Sequence, residues 1–499
     1  MFLLGYDIGS SAVKASIIDA EKGCCIASAY SPKEEMPIEA VQPGWAEQDP
    51  EMWWHNLKLA TQELLARSGI PSGDIQAIGI SYQMHGLVVV DKNHAVLRPS
   101  IIWCDSRAVP IGKKAFGEIG GQRCLEHLLN SPGNFTASKL KWIKDHEPTL
   151  FEQIYKIMLP GDYIAMKLTG EIFTTTSGLS EGILWDFSKN DIAHLLLDHY
   201  AIALEMIPRI VQTFSRQGLL SNVAASELGL KPGTAVTYRA GDQPNNALSL
   251  NVLEPGEIAA TAGTSGVVYG VSDVVKYDPF SRVNTFIHVN HNDINLRLGV
   301  LLCINGTGIL NSWVRKNIVP AGATYNDMNS MASAIPVGSG GISVLPFGNG
   351  AERMLDSREI GCIVNGINFN VHSASHLVRA AHEGVAFAFK YGMDILKSIG
   401  IDTRIIRAGY TNMFLSPVFR ETLANITEAT IEMYDTDGSQ GAARGAGIGS
   451  GFYKTPAEAF KGLKKRMTVE PSREMLQPSG EAFTRWVQVL NRNLSQEKK

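Results

Sequence analysis

The sequence predicts an α/β protein built as two large domains, and three observations carry this. At 499 residues the chain is longer than one ordinary hydrophobic core organises. A strand, a Gly/Ser turn and a second strand fall within 2–19, and the same order recurs over 255–271. Near the midpoint an apolar run ends in Gly241-Asp242 and passes into a segment with helical spacing. The expected division is 1–247 and 248–499.

Taken in order, Phe2 to Asp7 reads as a strand, Ile8-Gly9-Ser10-Ser11 as a tight turn and Val13 to Asp19 as the returning strand. Backbone N–H groups in such a turn can cradle phosphate oxygens, although a Gly/Ser hairpin also forms without a ligand. Asp7 at the strand end could hold a metal through water, since Mg²⁺ keeps much of its hydration shell. Residues 49–69 read as an amphipathic helix with Asp49 as N-cap, Pro50 at the first helical position and Gly69 closing the end. Its tryptophans, with Trp45, read as core packing rather than a ligand box.

Ile75 to Ser81 is an apolar strand that meets Gln83-Met84-His85-Gly86 before Leu87 to Val90 resumes. Two readings stand here: a histidine satisfied at a turn, or hydroxyl-directed hydrogen bonds from Gln83 and His85 beside an apolar Met84 wall, a combination that suits a sugar. Ile101 to Arg107 repeats the theme with Trp103, Asp105 and Arg107, as a structural pair or as cleft lining. Residues 134–146 read as a helix and 174–180 as a hydroxyl-rich loop. In the second half, 255–262 reads as a strand, Gly263-Thr264-Ser265-Gly266 as a turn and 267–271 as a strand. A long helix is expected over 375–399, a strand over 404–407, and a tightly packed helix over 438–447. The polar tail after about 485 is expected to fray.

Composition bounds the function. Hydrophobic residues make up 44% and charged residues 19%, as in a globular protein. A net charge of -4 without a long basic run argues against nucleic acid and anionic membrane as partners. The six cysteines form no CxxC pair and no zinc-ligand spacing. Scattered buried thiols fit a reducing compartment, and with no signal-peptide pattern or membrane-length apolar run the expected localisation is cytoplasmic.

Asp242 is the residue around which the rest is arranged. A carboxylate at a strand-to-helix junction faces the positive end of the helix dipole and can take a proton from an alcohol. The alternative is a plain helix N-cap, a position at which Asp is common.

In sequence order, Asp7-Ile8-Gly9-Ser10-Ser11 with Lys14, Gln83-Met84-His85-Gly86, Trp103 with Asp105 and Arg107, Phe135 to Trp142, Leu159 to Tyr163, Ala240-Gly241-Asp242, Gly263-Thr264-Ser265 and the Gly441 segment together resemble the FGGY family of carbohydrate kinases. The resemblance covers roughly residues 3–450. With Trp45 to Asp49, Trp53 and Trp54, it is most similar to the xylulokinase branch. It implies two actin-like (ribonuclease H-like) ATPase domains with a catalytic cleft between them. It also implies ATP and Mg²⁺, and D-xylulose as the sugar. Under it, Asp242 is the catalytic base, and Gln83, Met84, His85, Trp103 and Asp242 face the ketose. Asp7, the metal residue, faces the phosphates with Gly9, Ser10, Ser11 and Lys14. Gly263, Thr264 and Ser265 meet the phosphates from the other domain, and Ala408, Gly409 and Asn412 lie near the adenosine. A small-molecule sugar and ATP are the expected partners, and a homodimer the expected assembly. The chain departs from the family pattern at Gln243, Arg407-Ala408-Gly409, Gly350 to Met354 and Thr175. Other readings are a kinase for another ketose or polyol, a silent sugar-binding regulator, and a structural actin-like ATPase.

Overall fold

A computed structural model describes residues 1–496. The strands that position the site are β1 (Phe2–Ile8), β2 (Val13–Asp19), β3 (Cys25–Ser31), β4 (Ile75–Tyr82), β5 (Ala235–Gly241), β6 (Glu257–Ala262), β7 (Gly266–Ser272), β8 (Leu298–Ile304), β9 (Ile405–Gly409), β10 (Thr430–Tyr434) and β11 (Lys465–Val469). The helices used below are α1 (Pro50–Ser68), α2 (Thr176–Glu181), α3 (Asp242–Ser249), α4 (Gly308–Asn317), α5 (Tyr325–Ser333), α6 (Ala374–Ser398), α7 (Pro417–Thr427), α8 (Gly438–Gly449) and α9 (Arg473–Gln496).

The chain forms two compact units that are not contiguous halves. The first comprises Met1–Asn251, Thr285–Leu298 and Thr436–Leu463; the second comprises Val252–Asn284, Gly299–Asp435 and the chain from Lys464 on. The first unit thus runs a few residues past 247 and takes back two later segments. One of these carries α8, which lies across β1, β4 and β5.

In the first unit the sheet order is β5–β4–β1–β2–β3. β5 and β1 both run parallel to β4, whereas β2 is antiparallel to β1 and β3 to β2. The second unit repeats the order, with β10, β9, β6, β7 and β8 in the corresponding places and β11 added beyond β10. There β6, β9 and β10 are parallel and β7 is antiparallel to β6. The duplicated strand–turn–strand pattern in the sequence is therefore the first hairpin of each sheet.

Each apolar face is covered as its periodicity demands. On α1, Trp53, Leu57, Ala60 and Leu64 are buried, with Asp49 accepting from the Glu51 N–H and Gly69 closing the helix at φ 64°. In the second unit α6 buries Val378, Ala381, Val385, Ala388 and Phe389. Three sequence expectations are corrected. Residues 174–180 are not a loop: a short strand (Phe173–Thr175) leads into α2, with the Thr175 hydroxyl accepting from the Gly178 N–H. The tail does not fray from 485: α9 continues to Gln496, and the Trp486 Nε1–H donates to the Val344 carbonyl at 2.7 Å. Glu497 to Lys499 lie outside the described residues. Among the described residues only one thiol, Cys124, is buried; Cys24 is half-buried, and Cys25, Cys104, Cys303 and Cys362 are exposed. Among the described residues no helix is long and apolar enough to cross a membrane.

The seat of α8 depends on glycine. A Cβ on Gly79 would overlap the Ala442 carbonyl oxygen, and one on Gly5 would overlap the Ser439 carbonyl. Because both obstacles are backbone, neither can swing aside. Gly79→Ala is expected to destabilise the first unit by about 1–3 kcal/mol, as overpacking does in tight cores. Urea unfolding followed by circular dichroism measures this; an unchanged midpoint would mean that α8 can lift without cost.

Candidate functional site

Three parallel strands of the first unit, β1, β4 and β5, deliver polar groups at their carboxyl ends, the edge where open α/β sheets bind ligands. Register sets them side by side: Asp7 of β1 pairs with Ser81 of β4, and Ser81 pairs with Ala240 of β5. The Ser81 hydroxyl donates to Asp7 Oδ1 at 2.8 Å. Lys14 stands opposite Asp7 on β2. Gly438, first residue of α8, packs against the Asp7 carboxylate, leaving no room there for a side chain.

Asp242 is the first residue of α3 and not its cap, a position taken by Gly241. It is half-buried among dense surroundings. Loss of hydration there, then the negative charge of Asp7, push its carboxyl up to about 7, against the backbone and side chain of Gln243 and its own N–H, which favour the ionised form. Asp7 is itself raised, first by burial and further by Asp437, with Ser81 and Lys14 opposing.

Beyond β4 the chain turns through Gln83, Met84 and His85. Gln83 is buried; its N–H donates to the Ile8 carbonyl and its amide donates to Gln48 Oε1 at 3.3 Å. Met84 is buried beside Gly241. His85 sits at φ 61°, and its Nδ1 lies 2.9 Å from the Glu181 carbonyl oxygen. A carbonyl only accepts, so Nδ1 carries a proton and donates it. Phe135 and Phe286 pack on the ring at centroid distances of 4.8 and 5.4 Å. Lys139, fully buried, donates to the His85 and Ile102 carbonyls and holds the turn.

Trp103 is 53% exposed, with its Nε1–H 3.4 Å from Ser10 Oγ. Asp105 and Arg107 form a buried bidentate pair, and Arg107 stacks on Trp45 at 3.8 Å. Both are tied to the neighbouring Ala46-Glu47 segment: Asp105 accepts from the Ala46 N–H at 2.6 Å, and Arg107 reaches Glu47 at 2.6 Å. Gly9, Ser10 and Ser11 form the β1–β2 turn, closed by the Gly9 N–H donating to the Ala12 carbonyl at 3.0 Å.

Glu181 is a residue that sequence reasoning missed. It is 1% exposed, and its Oε1 has no hydrogen-bond partner. Its other oxygen and the Met84 side chain fill the space beside Gly241 that a Cβ would need. Burial, then the charge of Asp242, hold it far above the usual carboxylate range, with Asp162 adding to the effect and the Tyr82 side chain and the His85 backbone N–H opposing. The available signal was a lone acid in an otherwise apolar and hydroxyl-bearing stretch, Ser180-Glu181-Gly182-Ile183.

The second unit contains a cavity of about 490 Å³. Gly263, Thr264 and Asn412 line it, together with Gly308, Asn311 and Ser312 of α4, Tyr325 and Asn329 of α5, and Ser416. The N-terminus of α4 docks on the β6–β7 turn, with the Gly308 and Ile309 N–H groups donating to the Gly263 and Thr264 carbonyls at 2.8 and 3.1 Å. Ser265 is exposed in the same turn, Ala408 is buried in the core and Gly409 ends β9; none of these three lines the cavity. The α4 and α5 residues were not picked out from sequence because they are ordinary polar positions on surface helices.

Among the described residues no three acidic, histidine or cysteine side chains converge to cage a metal. Asp7 offers one carboxylate; the charge of Asp437 raises it, and its own charge raises Asp242. That surplus of negative charge fits Mg²⁺ bound largely through water and phosphate oxygens.

The family description "FGGY family of carbohydrate kinases, N-terminal domain" matches residues 2–249, and its C-terminal counterpart matches residues 258–449. The xylulose kinase of Escherichia coli (strain K12) is 28% identical over 501 residues, spanning 98% of this chain and 99% of that protein. The structure of xylulose kinase from Rhodospirillum rubrum is similar with a TM-score of 0.89 at 24% identity, covering 99% of both chains. That of gluconate kinase from Lactobacillus acidophilus has a TM-score of 0.88 at 23% identity, covering 99% of this chain and 98% of its own. At these identities the structural likenesses speak for the fold, which is the pair of actin-like α/β domains. With both family domains matched in order and the duplicated sheets in hand, the chain belongs to the FGGY family of carbohydrate kinases and is an ATP-dependent sugar kinase.

Proposed function

We propose that this kinase transfers the γ-phosphoryl group of ATP to the terminal hydroxyl of D-xylulose, with Asp242 as the general base. The observation that carries the reading is the position of Asp242. It heads α3 at the same sheet edge as Asp7 and the Gln83–His85 turn, with a carboxyl raised to about 7. A base poised near the working pH combines sufficient ionised population with useful proton affinity. Relatives named xylulose kinase that match nearly the whole chain support the ketose.

In this mechanism Met84 and His85 meet the sugar. Asp242 takes the proton of the terminal hydroxyl as that oxygen bonds to the γ-phosphorus and ADP leaves. The transition state is loose, so catalysis rests on positioning and on neutralising charge. Lys14 and the Gly9–Ser11 turn face the phosphates, and Asp7 is the candidate metal residue. Mg²⁺ when bound supplies charge neutralisation at the phosphate oxygens. The 490 Å³ cavity of the second unit takes the nucleotide. Burial, then the charge of Asp242, raise the proton affinity of the neighbouring Glu181 well above the ordinary carboxylate range. A second reading, a kinase for another ketose or a polyol, is favoured by Gln243, where the chain departs from the family pattern directly beside Asp242.

ADP release coupled to NADH oxidation, measured with Mg-ATP over a panel of ketoses and polyols, tests substrate and base together. Turnover is expected to be strongest on D-xylulose. Asp242→Asn should lose about two to four orders of magnitude in kcat while still binding ATP. A variant with near-wild-type turnover removes Asp242 as base; a different preferred sugar keeps the mechanism and replaces the substrate. Because the base must be ionised, kcat/KM for the sugar should fall as pH drops below about 7. A flat profile across that range would contradict the assignment.

Glu181 has its own signature. Its raised folded value means that the folded chain keeps a proton which the unfolded chain releases, so this term loses stability as pH rises above the ordinary carboxylate range. Glu181→Gln removes the ionisation and keeps the shape. By thermal melting the variant should exceed the wild type near pH 8, with the gap closing toward about pH 5. A gap that does not change with pH would show that Glu181 ionises normally.

A further inference from the structure

Two residues lining the cavity of the second unit, Asn311 and Ser416, are bound from behind by one side chain. His382 of α6 is 1% exposed. Its Nε2 lies 3.0 Å from Asn311 Oδ1 and its Nδ1 lies 3.0 Å from Ser416 Oγ. The imidazole therefore ties α4, α6 and the head of α7 together at the cavity wall.

Proton accounting gives this chain a direction. Burial, with Arg379 on the same helix adding to it, pushes the imidazole down to about 4, so the ring is neutral and has a single N–H. Ser416 caps α7 by accepting from the Phe419 N–H, and it keeps its own O–H to give. An amide oxygen only accepts. The arrangement that satisfies every group runs from the Ser416 O–H to Nδ1, and from Nε2–H to Asn311 Oδ1. Asn311 is thereby held with its oxygen toward His382 and its NH₂ group available to the cavity it lines.

We propose that His382 is a positioning residue of the nucleotide cavity, and that the Ser416–His382–Asn311 chain orients the Asn311 amide as a donor to a hydrogen-bond acceptor on the bound nucleotide. The proposal rests on the reading of this cavity as the nucleotide site and is independent of which sugar is phosphorylated. It predicts selection by hydrogen-bond polarity: a nucleotide presenting a donor at that point meets the Asn311 NH₂ group donor to donor.

Isothermal titration of the full chain with Mg-ADP, without sugar, tests it. Gln at 382 carries an amide that can reach the Nε2 position and donate to Asn311, whereas Asn reaches only the Nδ1 position. His382→Asn and His382→Ala should each weaken Mg-ADP by roughly tenfold, and His382→Gln by less than about threefold. Asn311→Ala combined with His382→Ala should bind no more weakly than Asn311→Ala alone, because the two act as one unit. Additive losses, or His382→Gln as weak as His382→Asn, would overturn the proposal. If His382→Ala does not fold, the comparison of the Gln and Asn variants, each checked by its melt, decides it. A wild type that does not bind Mg-ADP overturns the nucleotide reading and this inference with it; a wild type that binds, with additive variants, overturns this inference alone.

Discussion

The close seat of α8 on the first sheet is the constraint from which the site follows. Gly5 of β1 and Gly79 of β4 face helix backbone, and Gly445 and Gly449 of α8 return the contact against Tyr238 and Thr237 of β5. The Thr237 hydroxyl donates to the Ala446 carbonyl at 2.8 Å. One helix thus clamps the three parallel strands whose ends bear Asp7, the Gln83–His85 turn and Asp242. Removing the side chains at the contact lets backbone meet backbone, which limits the sliding of any strand against its neighbours. The same helix brings Gly438 against Asp7.

Charge at that sheet edge is distributed by environment rather than by residue type. Asp7, Glu181 and Asp242 are all carboxyls in neighbouring positions, and all are raised above their ordinary values. They differ in their partners. Asp7 has Ser81 and Lys14 to favour its ionised form, and Asp242 has the start of α3. Glu181 has an unpartnered oxygen and the strongest burial. Groups whose surroundings separate their proton affinities can take different roles in one reaction. The second unit follows a parallel economy without charge: a neutral histidine relays one hydrogen bond between a cap and a cavity-lining amide.

Much of the secondary structure was legible because it is locally encoded. Asp49, Pro50 and Gly69 announce both ends of α1, and each performs the expected local task. The two Gly/Ser turns announce their hairpins. Residues 174–180 read as a loop because their run of threonines and serines carries no apolar period; helix formation there depends on the Thr175 cap and on burial of Leu179 against the rest of the unit. The end of α9 was misread because polarity in its last turns suggests solvent, while Trp486 and Leu490 anchor it in the core. Asp105 and Arg107 read in sequence as a structural pair or as cleft lining; their bidentate pair and the Trp45 stack could be seen only once folded.

What the sequence determined by itself was the set of elements, their duplication and the chemistry of the motif residues, because caps, turns and apolar periods act over a few residues. The tertiary structure decided which residues share a site. Register across β1, β4 and β5 brings together positions 7, 81 and 240, which no local rule connects. Burial then decides the protonation of Glu181 and His382, since the cost of holding a charge depends on the protein packed around it and not on neighbours in the chain.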